Sequence, residues 1–496
     1  MCNGVQNTER KKGSQMTEQR ENKMGVMPIG KLIFTMSIPM IISMLVQAVY
    51  NVVDSIFVAR YSEVALSAVN YSFPAQNLMI GVATGTGVGV NALLSRSLGE
   101  KNSERANKVA ANGVILAMVG YLVFLLFGIF GARWFIAFQT SDAAIIDAGH
   151  AYLSTCCIFA FGIFGEIMFE RLMQATGRTV YTLFTQGVGA IVNIIFDPIF
   201  IFGYFGFPEM GVRGAAMATV LGQIVAFMMG IILNHFKNKD IRLELKKFKP
   251  DLEIIGGIYA IGVPSMIMMC IGSFTTTSVN KILQSFERLG KGIGETAVNV
   301  FGVYFKLQSF AFMPIFGLNN GVIPIISYNY GAKRRDRVMR TIRLSVTTIV
   351  CIMLAALAVF NLFPETLLGF FKSEGGNFDN MLAIGVPALR TISLSYIFAG
   401  ICIGFTSVFQ ALGKGIYASI MSFARQLVVL VPAAYLLSLT DNVDMVWWSY
   451  PIAEVMSVAV CAVLFIMLYR KVIKPIGIPG GNFEIEKAEE PASAKK

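Results

Sequence analysis

Charge is what this sequence has least of. Asp, Glu, Lys and Arg make up 14% of its 496 residues, against about 25% in an ordinary soluble protein. That is too little to clothe the three or so soluble domains the length alone would suggest. Histidine is almost missing. His150 and His235 are the only two, both near the ends of apolar runs, which excludes His-based catalysis. The cysteines number seven and no CxxC spacing occurs. All but Cys2 fall in apolar runs, so neither a disulfide framework nor a zinc site is indicated. The stretch "GVATGTGVGV" from Gly81 lacks the Gly-Lys-Ser/Thr ending of a phosphate loop. Its small residues suit close helix packing instead. No nucleotide-binding domain and no catalytic constellation is legible, so the chain is not expected to be an enzyme and no organic cofactor is expected.

Long apolar runs are present in abundance. The chain is 55% hydrophobic, with a mean hydropathy of +0.63. About 20 consecutive apolar residues cross a bilayer as a helix. Segments of that kind fall at 31–59, 64–95, 107–131, 148–171, 180–203, 212–234, 254–285, 295–328, 338–363, 380–410, 415–439 and 446–470. The sequence thus predicts an all-α integral membrane protein with twelve transmembrane helices. The net charge of +11 is explained by its placement. The even-numbered connections carry clusters such as Arg96, Lys101 and Arg105, then Lys246 and Lys247, then Lys333, Arg334 and Arg335. The odd-numbered ones carry Asp142, Asp147, Glu365 and Asp379. By the positive-inside rule both termini and the even connections are cytoplasmic, in the inner cell membrane. The lipid bilayer is the expected partner, and nucleic acid is not. No cleaved secretory leader is expected, because the first apolar run is too long for one. Residues 1–30 and 476–496 read as disordered cytoplasmic tails.

The chain also repeats itself. "LMQATGRTVYT" around Gln174 matches "VFQALGKGIYA" around Gln410. "SIPMIISM" matches "GVPSMIMM", pairing Pro39 with Pro264. Gln76, Gly85 and Gly99 pair with Gln308, Gly317 and Gly331. The order is conserved along the chain and the offsets drift only slightly. This divides the protein into a six-helix lobe over 31–240, a cytoplasmic linker over 241–253 and a second six-helix lobe over 254–475. Six is even, so both lobes enter the membrane in the same direction, as a parallel repeat around a central cleft.

Polar residues inside the membrane are costly and tend to face a cavity or a partner. In "GAIVNIIFDPIFIFG", Gln186, Asn193 and Asp197 lie within about 40° of one another on one helix face. Pro198 removes a backbone donor and frees a carbonyl beside the carboxylate. Gln47, Tyr50 and Asp54 form a second stripe, with Pro39 about four turns earlier. Thr219 and Gln223 form a third, and Asn77, Thr84 and Asn91 a fourth. If these faces converge, Asp54, Asn193, Asp197 and Thr219 make a proton or sodium site, because two close carboxylates hold a proton or a cation between them. For sodium, the metal ligands would be Asp54, Asn193 and Asp197. The competing interpretation is hydrogen-bonded packing. Asp54 aligns with Asn280 and Asp197 with Ala433 in the repeat, so the site should lie in the first lobe alone. Glu166 and Glu170 could present negative charge to a cationic substrate or pair with loop arginines. With Gln47, Asn77 and Lys306, they are the candidate cleft residues. Arg425 and Glu454 are a candidate structural pair.

The segments "IVNIIFDPIFIFG", "GVRGAAMATVLGQ", "QAVYNVVDSIFVAR", "LMQATGRT" and "MPIFGLNNGVIPIISYNYGAKRRDRV" resemble the multidrug and toxic compound extrusion (MATE) family, over Lys31 to Lys471. The resemblance implies a two-lobed antiporter, expected as a monomer, that exports bulky and often cationic organic compounds in exchange for Na+ or H+. It implies a cation site at Asp54, Asn193 and Asp197, with Thr219 and Tyr50 nearby, and a helix-bending role for Pro39. A lipid-linked precursor flippase of the same superfamily is the alternative. Its cleft should be cationic, whereas the intramembrane charges of the first lobe are mostly acidic.

Overall fold

The computed structural model describes residues 22–243, 249–290, 292–371 and 378–477, apart from the side chains of residues 59 and 63. The expected tails over 1–21 and 478–496, and Lys246 and Lys247 of the expected linker, lie outside the described residues.

Among the described residues the chain is helical throughout. A short helix α1 (Lys23–Val26) precedes α2 (Ile29–Tyr61), α3 (Glu63–Gly99) and α4 (Ser103–Phe130). Next come α5 (Ala143–Ile158), α6 (Phe161–Ala175), α7 (Thr179–Phe202) and α8 (Val212–Lys237). The second half runs through α9 (Leu252–Gln284), α10 (Ile293–Gly331), α11 (Arg335–Leu362), α12 (Phe378–Ser393), α13 (Tyr396–Ala411), α14 (Gly415–Phe423) and α15 (Ser449–Leu468). Among the described residues, ten helical stretches are long and apolar enough to cross a membrane on their own. The pairs α5–α6 and α12–α13 qualify together, bent by 44° and 49° at their breaks. Counting each bent pair as one span gives the twelve expected from hydropathy.

The surfaces are those of a bilayer protein. Along α4, Met118, Leu122, Leu126 and Phe130 stand exposed, while Ala106, Val109, Ala110 and Gly113 are buried. Large apolar groups face outward and small ones face the neighbouring helices, the pattern of helices solvated by lipid. The six cysteines from Cys156 to Cys461 are free thiols.

The backbone repeats its irregularities as the sequence repeats its motifs. Left-handed residues recur in pairs: Lys101 (φ 57°) with Lys333 (56°), Gly177 (81°) with Gly413 (78°), and Phe205 (58°) with Asp441 (56°). The turns are built alike. Lys101 N–H donates to Leu98 O and Asn102 N–H to Ser97 O. Lys333 and Arg334 do the same to Tyr330 and Asn329. These are helix-ending Schellman turns. The breaks in α5–α6 and α12–α13 are spaced like Gln174 and Gln410, to within a residue or two.

The halves meet along α2–α10 and α3–α9, and the contact is tightest at one end. A Cβ on Gly99 would lie 2.0 Å from Tyr328 O, and one on Gly331 2.2 Å from Arg96 O. Backbone rests on backbone there, which only glycine permits. Gly85 and Gly89 of "GVATGTGVGV" likewise abut Gly262 and Ile258 of α9.

One expectation is corrected. Residues 22–30, assigned to a disordered tail, are ordered. Met24 is fully buried. Its carbonyl accepts from Asn329 Nδ2 and Arg337, and Met27 O accepts from Arg337 at 2.7 Å. Asn22 Nδ2 donates to Thr176 O at 3.0 Å. Polar composition misled here because arginines at the start of α11 supply the donors this short segment needs.

Candidate functional site

The site begins with a close helix crossing. A Cβ on Gly222 of α8 would lie 2.6 Å from Gly189 O of α7. With no side chain on either helix at that point, the two approach closely enough for the next turn of α7 to place Asn193 beside Thr219. Asn193 Nδ2 lies 3.4 Å from Thr219 Oγ1 and 3.3 Å from Asp197 Oδ1. Asn193 and Asp197 are both buried, Asp197 completely.

Helix α2 supplies the other carboxyl. Asp54, half-buried, faces Asp197 closely enough for the two carboxyls to interact directly. Two carboxyls placed together share a proton or are compensated by a cation. The site has acceptors to spare. Asp54 Oδ1, Asn193 Oδ1 and Asp197 Oδ2 are each buried and accept no hydrogen bond among the described residues. Unpaired buried oxygens are expensive and rare. Pro198 lies inside α7, so the carbonyl of Ile194, four residues earlier, has no N–H from that position to accept. The donor set is hard oxygen throughout, the chemistry of a small inorganic cation or a proton. Among the described residues no group of three His, Cys, Asp or Glu forms a multi-ligand metal centre.

A cavity of about 40 Å³ adjoins this cluster. Gln47, Tyr50, Glu166, Asn193, Thr219 and Gln223 are among its lining residues. It is large enough for an ion or a few waters. Tyr50 and Gln47, one turn apart on α2, share this wall. Glu166 and Glu170, one turn apart on α6, have different surroundings. Glu166 lines the cavity. Glu170 accepts from Thr185 Oγ1 at 2.7 Å and from Gln186 Nε2 at 2.9 Å, and Gln186 in turn accepts from Ser43 Oγ.

Other candidates stand elsewhere. Asn77 donates to Ser273 Oγ at 3.0 Å, joining α3 to α9. Lys306 is exposed on α10, 5.8 Å from the Phe371 ring centroid. Pro39 lies inside the uninterrupted helix α2. Arg425 meets Glu454 at 3.2 Å, on a widened π-helical turn over Ala424–Leu430 that continues α14. Arg171 is buried and donates to Gln174 and to Asn320 of the second half, both at 2.9 Å.

Sequence reasoning passed over Ser43 and Thr185. Ser43 had a signal, since Ser43, Gln47, Tyr50 and Asp54 follow helical spacing on one face of α2. Thr185 had none, because a lone threonine beside Gln186 gives no hint of a glutamate on another helix.

Comparison with known proteins agrees with this architecture. The MatE family profile matches residues 39–199 and 264–436. The multidrug export protein MepA of Staphylococcus aureus is 27% identical over 89% of this chain and 94% of its own. MepA of Staphylococcus saprophyticus is 25% identical over 88% and 92%. A solved multidrug resistance MATE family transporter of the MOP superfamily, in an outward-facing conformation, superposes with a TM-score of 0.85 at 24% identity, over 92% of this chain and 99% of its own. With the family matched across both halves of the chain, and with a fold and an intramembrane polar site of this kind, the protein belongs to the MatE family and is a membrane transporter, not an enzyme.

Proposed function

We propose that this transporter is an antiporter that expels bulky, often cationic organic compounds across the cytoplasmic membrane in exchange for Na+ or H+. The observation that carries the proposal is the facing Asp54 and Asp197 carboxyls: one oxygen of each, with Asn193 Oδ1, is buried and accepts no hydrogen bond among the described residues. Asp54, Asn193 and Asp197 would hold the coupling ion, with Thr219 and Tyr50 beside it. For Na+ these would be its protein ligands. For H+ the carboxyl pair alone suffices. A charge crossing 100 mV releases about 2.3 kcal/mol, so an ion gradient can drive export without nucleotide. Multidrug export in the Staphylococcus relatives supports a broad organic cargo.

The motion would be a rocking of two lobes, 31–240 and 254–475, past a shared cleft, with Pro39 as a point of flexure in α2. The backbone repeats support this division. The basic clusters of the even connections lie at the end where Gly99 and Gly331 seal the halves together, and the positive-inside rule makes that end cytoplasmic. This arrangement is then closed toward the cytoplasm, with both termini inside and one chain as the working unit. Glu166 would meet the cationic part of the cargo, with Gln47, Glu170, Asn77 and Lys306 in or near its path. An acid at the cavity wall suits cationic cargo and disfavours a phosphate headgroup in the cleft, which weighs against the flippase alternative.

The test is efflux of a cationic fluorescent dye from proteoliposomes, with sodium and pH gradients imposed separately. Efflux should follow at least one gradient and ignore ATP. Undiminished efflux with both gradients collapsed would overturn the proposal.

A further inference from the structure

A second cavity, of about 1190 Å³, opens at the sealed, basic end of the molecule. It is far larger than an ion needs and lies somewhat above the usual size of organic-ligand sites. Four basic side chains line it, Lys23, Lys101, Arg178 and Lys239, against one acid, Asp240. Asp240 is already engaged, accepting from Arg178 at 3.0 Å. Among the described residues that line the cavity, the remaining positive charge has no counterweight.

Lys23 and Arg178 are held close together by the fold. The stem of Lys23 lies against Gly177, next to Arg178 in sequence; a Cβ on Gly177 would come within 3.1 Å of Lys23 Cε. Burial and the neighbouring Arg178 guanidinium push the Lys23 ammonium below its ordinary range. Like charges crowded this way raise the energy of the empty pocket, and an anion relieves them. Arg178 Nε is buried without a partner, as is Thr179 Oγ1 beside it. The 24-residue helix α7 begins at Thr179 with no side-chain cap, so the positive end of its dipole lies at the cavity wall. Ser103, the first residue of α4, lines the same space.

We propose that this cavity is a binding site for a phosphate-bearing anion, gripped by Lys23, Lys101, Arg178 and Lys239 and completed by the docked segment around Asn22 and Lys23. The phosphate would accept charge-assisted hydrogen bonds from the lysines and from the Arg178 guanidinium. Its organic part would occupy the rest of the volume, beside Tyr181 and Tyr328. An anionic lipid headgroup and a soluble phosphate offer the same chemistry. The site draws on both halves of the chain, Tyr328 from α10 and the remainder from the first half, so occupancy would tie the sealed end together. It does not depend on the coupling-ion assignment.

The experiment uses the full-length protein, stripped of lipid and held in a neutral detergent. Thermal melting is titrated with inorganic pyrophosphate. In parallel, melting is measured in nanodiscs of phosphatidylcholine with and without phosphatidylglycerol. Pyrophosphate, phosphatidylglycerol or both should raise the melting midpoint. Stabilisation by pyrophosphate marks a soluble source and stabilisation by phosphatidylglycerol alone marks lipid; either supports the site. Lys101→Asn, which tolerates the left-handed backbone there, and Lys239→Gln should each weaken the apparent affinity about tenfold, the worth of one charged hydrogen bond. A chain beginning at Met27 should lose at least as much. Lys281→Gln, an exposed lysine on α9 distant from the cavity residues in sequence, is the control and should bind as the unaltered protein does. No stabilisation by either anion would overturn the proposal, and so would equal weakening by Lys281→Gln and Lys239→Gln.

Discussion

Asp54 of α2 and Asp197 of α7 face each other, carboxyl to carboxyl. The pair sits within a helix bundle where an uncompensated charge costs several kcal/mol. Asn193 and Thr219 stand within hydrogen-bond reach on the same side. A purely structural cluster would satisfy its own oxygens, and in this one three accept no hydrogen bond among the described residues. That surplus of acceptors is the physical reason to read it as an exchange site for a cation.

Asp54→Asn and Asp197→Asn should each reduce gradient-driven efflux at least tenfold while leaving protein levels in the membrane unchanged. An amide keeps the shape and can still hydrogen-bond, so loss of efflux reports on charge. The measurement is dye efflux in proteoliposomes normalised to reconstituted protein. Efflux in either variant equal to that of the unaltered protein would remove that carboxyl from the coupling site.

Glu166 and Glu170 should separate by their consequences. Glu170 holds two donors, Thr185 and Gln186. Glu170→Leu leaves Gln186 Nε2 without that acceptor, at about 1–3 kcal/mol for a buried group left unsatisfied, while Thr185 can still donate to Thr182 O. It should lower the melting temperature and affect all cargo equally. Glu166→Gln should leave melting nearly unchanged and weaken cationic dyes more than neutral ones. The check is a melting curve beside a cation-against-neutral efflux ratio for each variant.

The twelve crossings were legible because hydropathy and helix length obey one constraint, the thickness of the bilayer. The stripes on α2 and α7 were legible because helical periodicity brings Asp54 into line with Gln47, and Asp197 with Asn193. The bends in α5–α6 and α12–α13 were not, since neither break, near Phe159 or Leu394, contains proline or glycine to announce it. The docking of Met24 was equally hidden: its partners Asn329 and Arg337 lie some 300 residues away, and only the assembled fold brings them there. Glu170 and Glu166 look identical in sequence, and what distinguishes them is a threonine and a glutamine on another helix.

Gly222→Val should damage the ion site without touching a polar residue. A β-carbon there would fall 2.6 Å from Gly189 O and 3.3 Å from Asn193 Cβ. Backbone cannot yield as a side-chain tip does, so α7 and α8 must separate, at about 1–3 kcal/mol for overpacking. Asn193 then moves away from Thr219. The expected result is a lower melting temperature together with a raised half-saturating concentration of the coupling ion. An unchanged ion dependence would show that the close crossing does not position Asn193.

Arg425 and Glu454 provide a test of interdependence in the second half. The pair spans 3.2 Å, with side-chain exposures of 21% and 9%, and Glu454 Oε2 has no further partner. Removing one member of such a pair strands the other in a poorly solvated place, which typically costs about 3–5 kcal/mol, whereas replacing both with apolar groups is often neutral. Glu454→Gln and Arg425→Met should therefore each lower the melting temperature more than the double variant Arg425→Met/Glu454→Leu. A purely structural pair predicts that the double variant also recovers efflux. If stability returns and efflux does not, the two charges take part in transport, and the π-helical turn that carries Arg425 becomes the next place to look for the cargo's path.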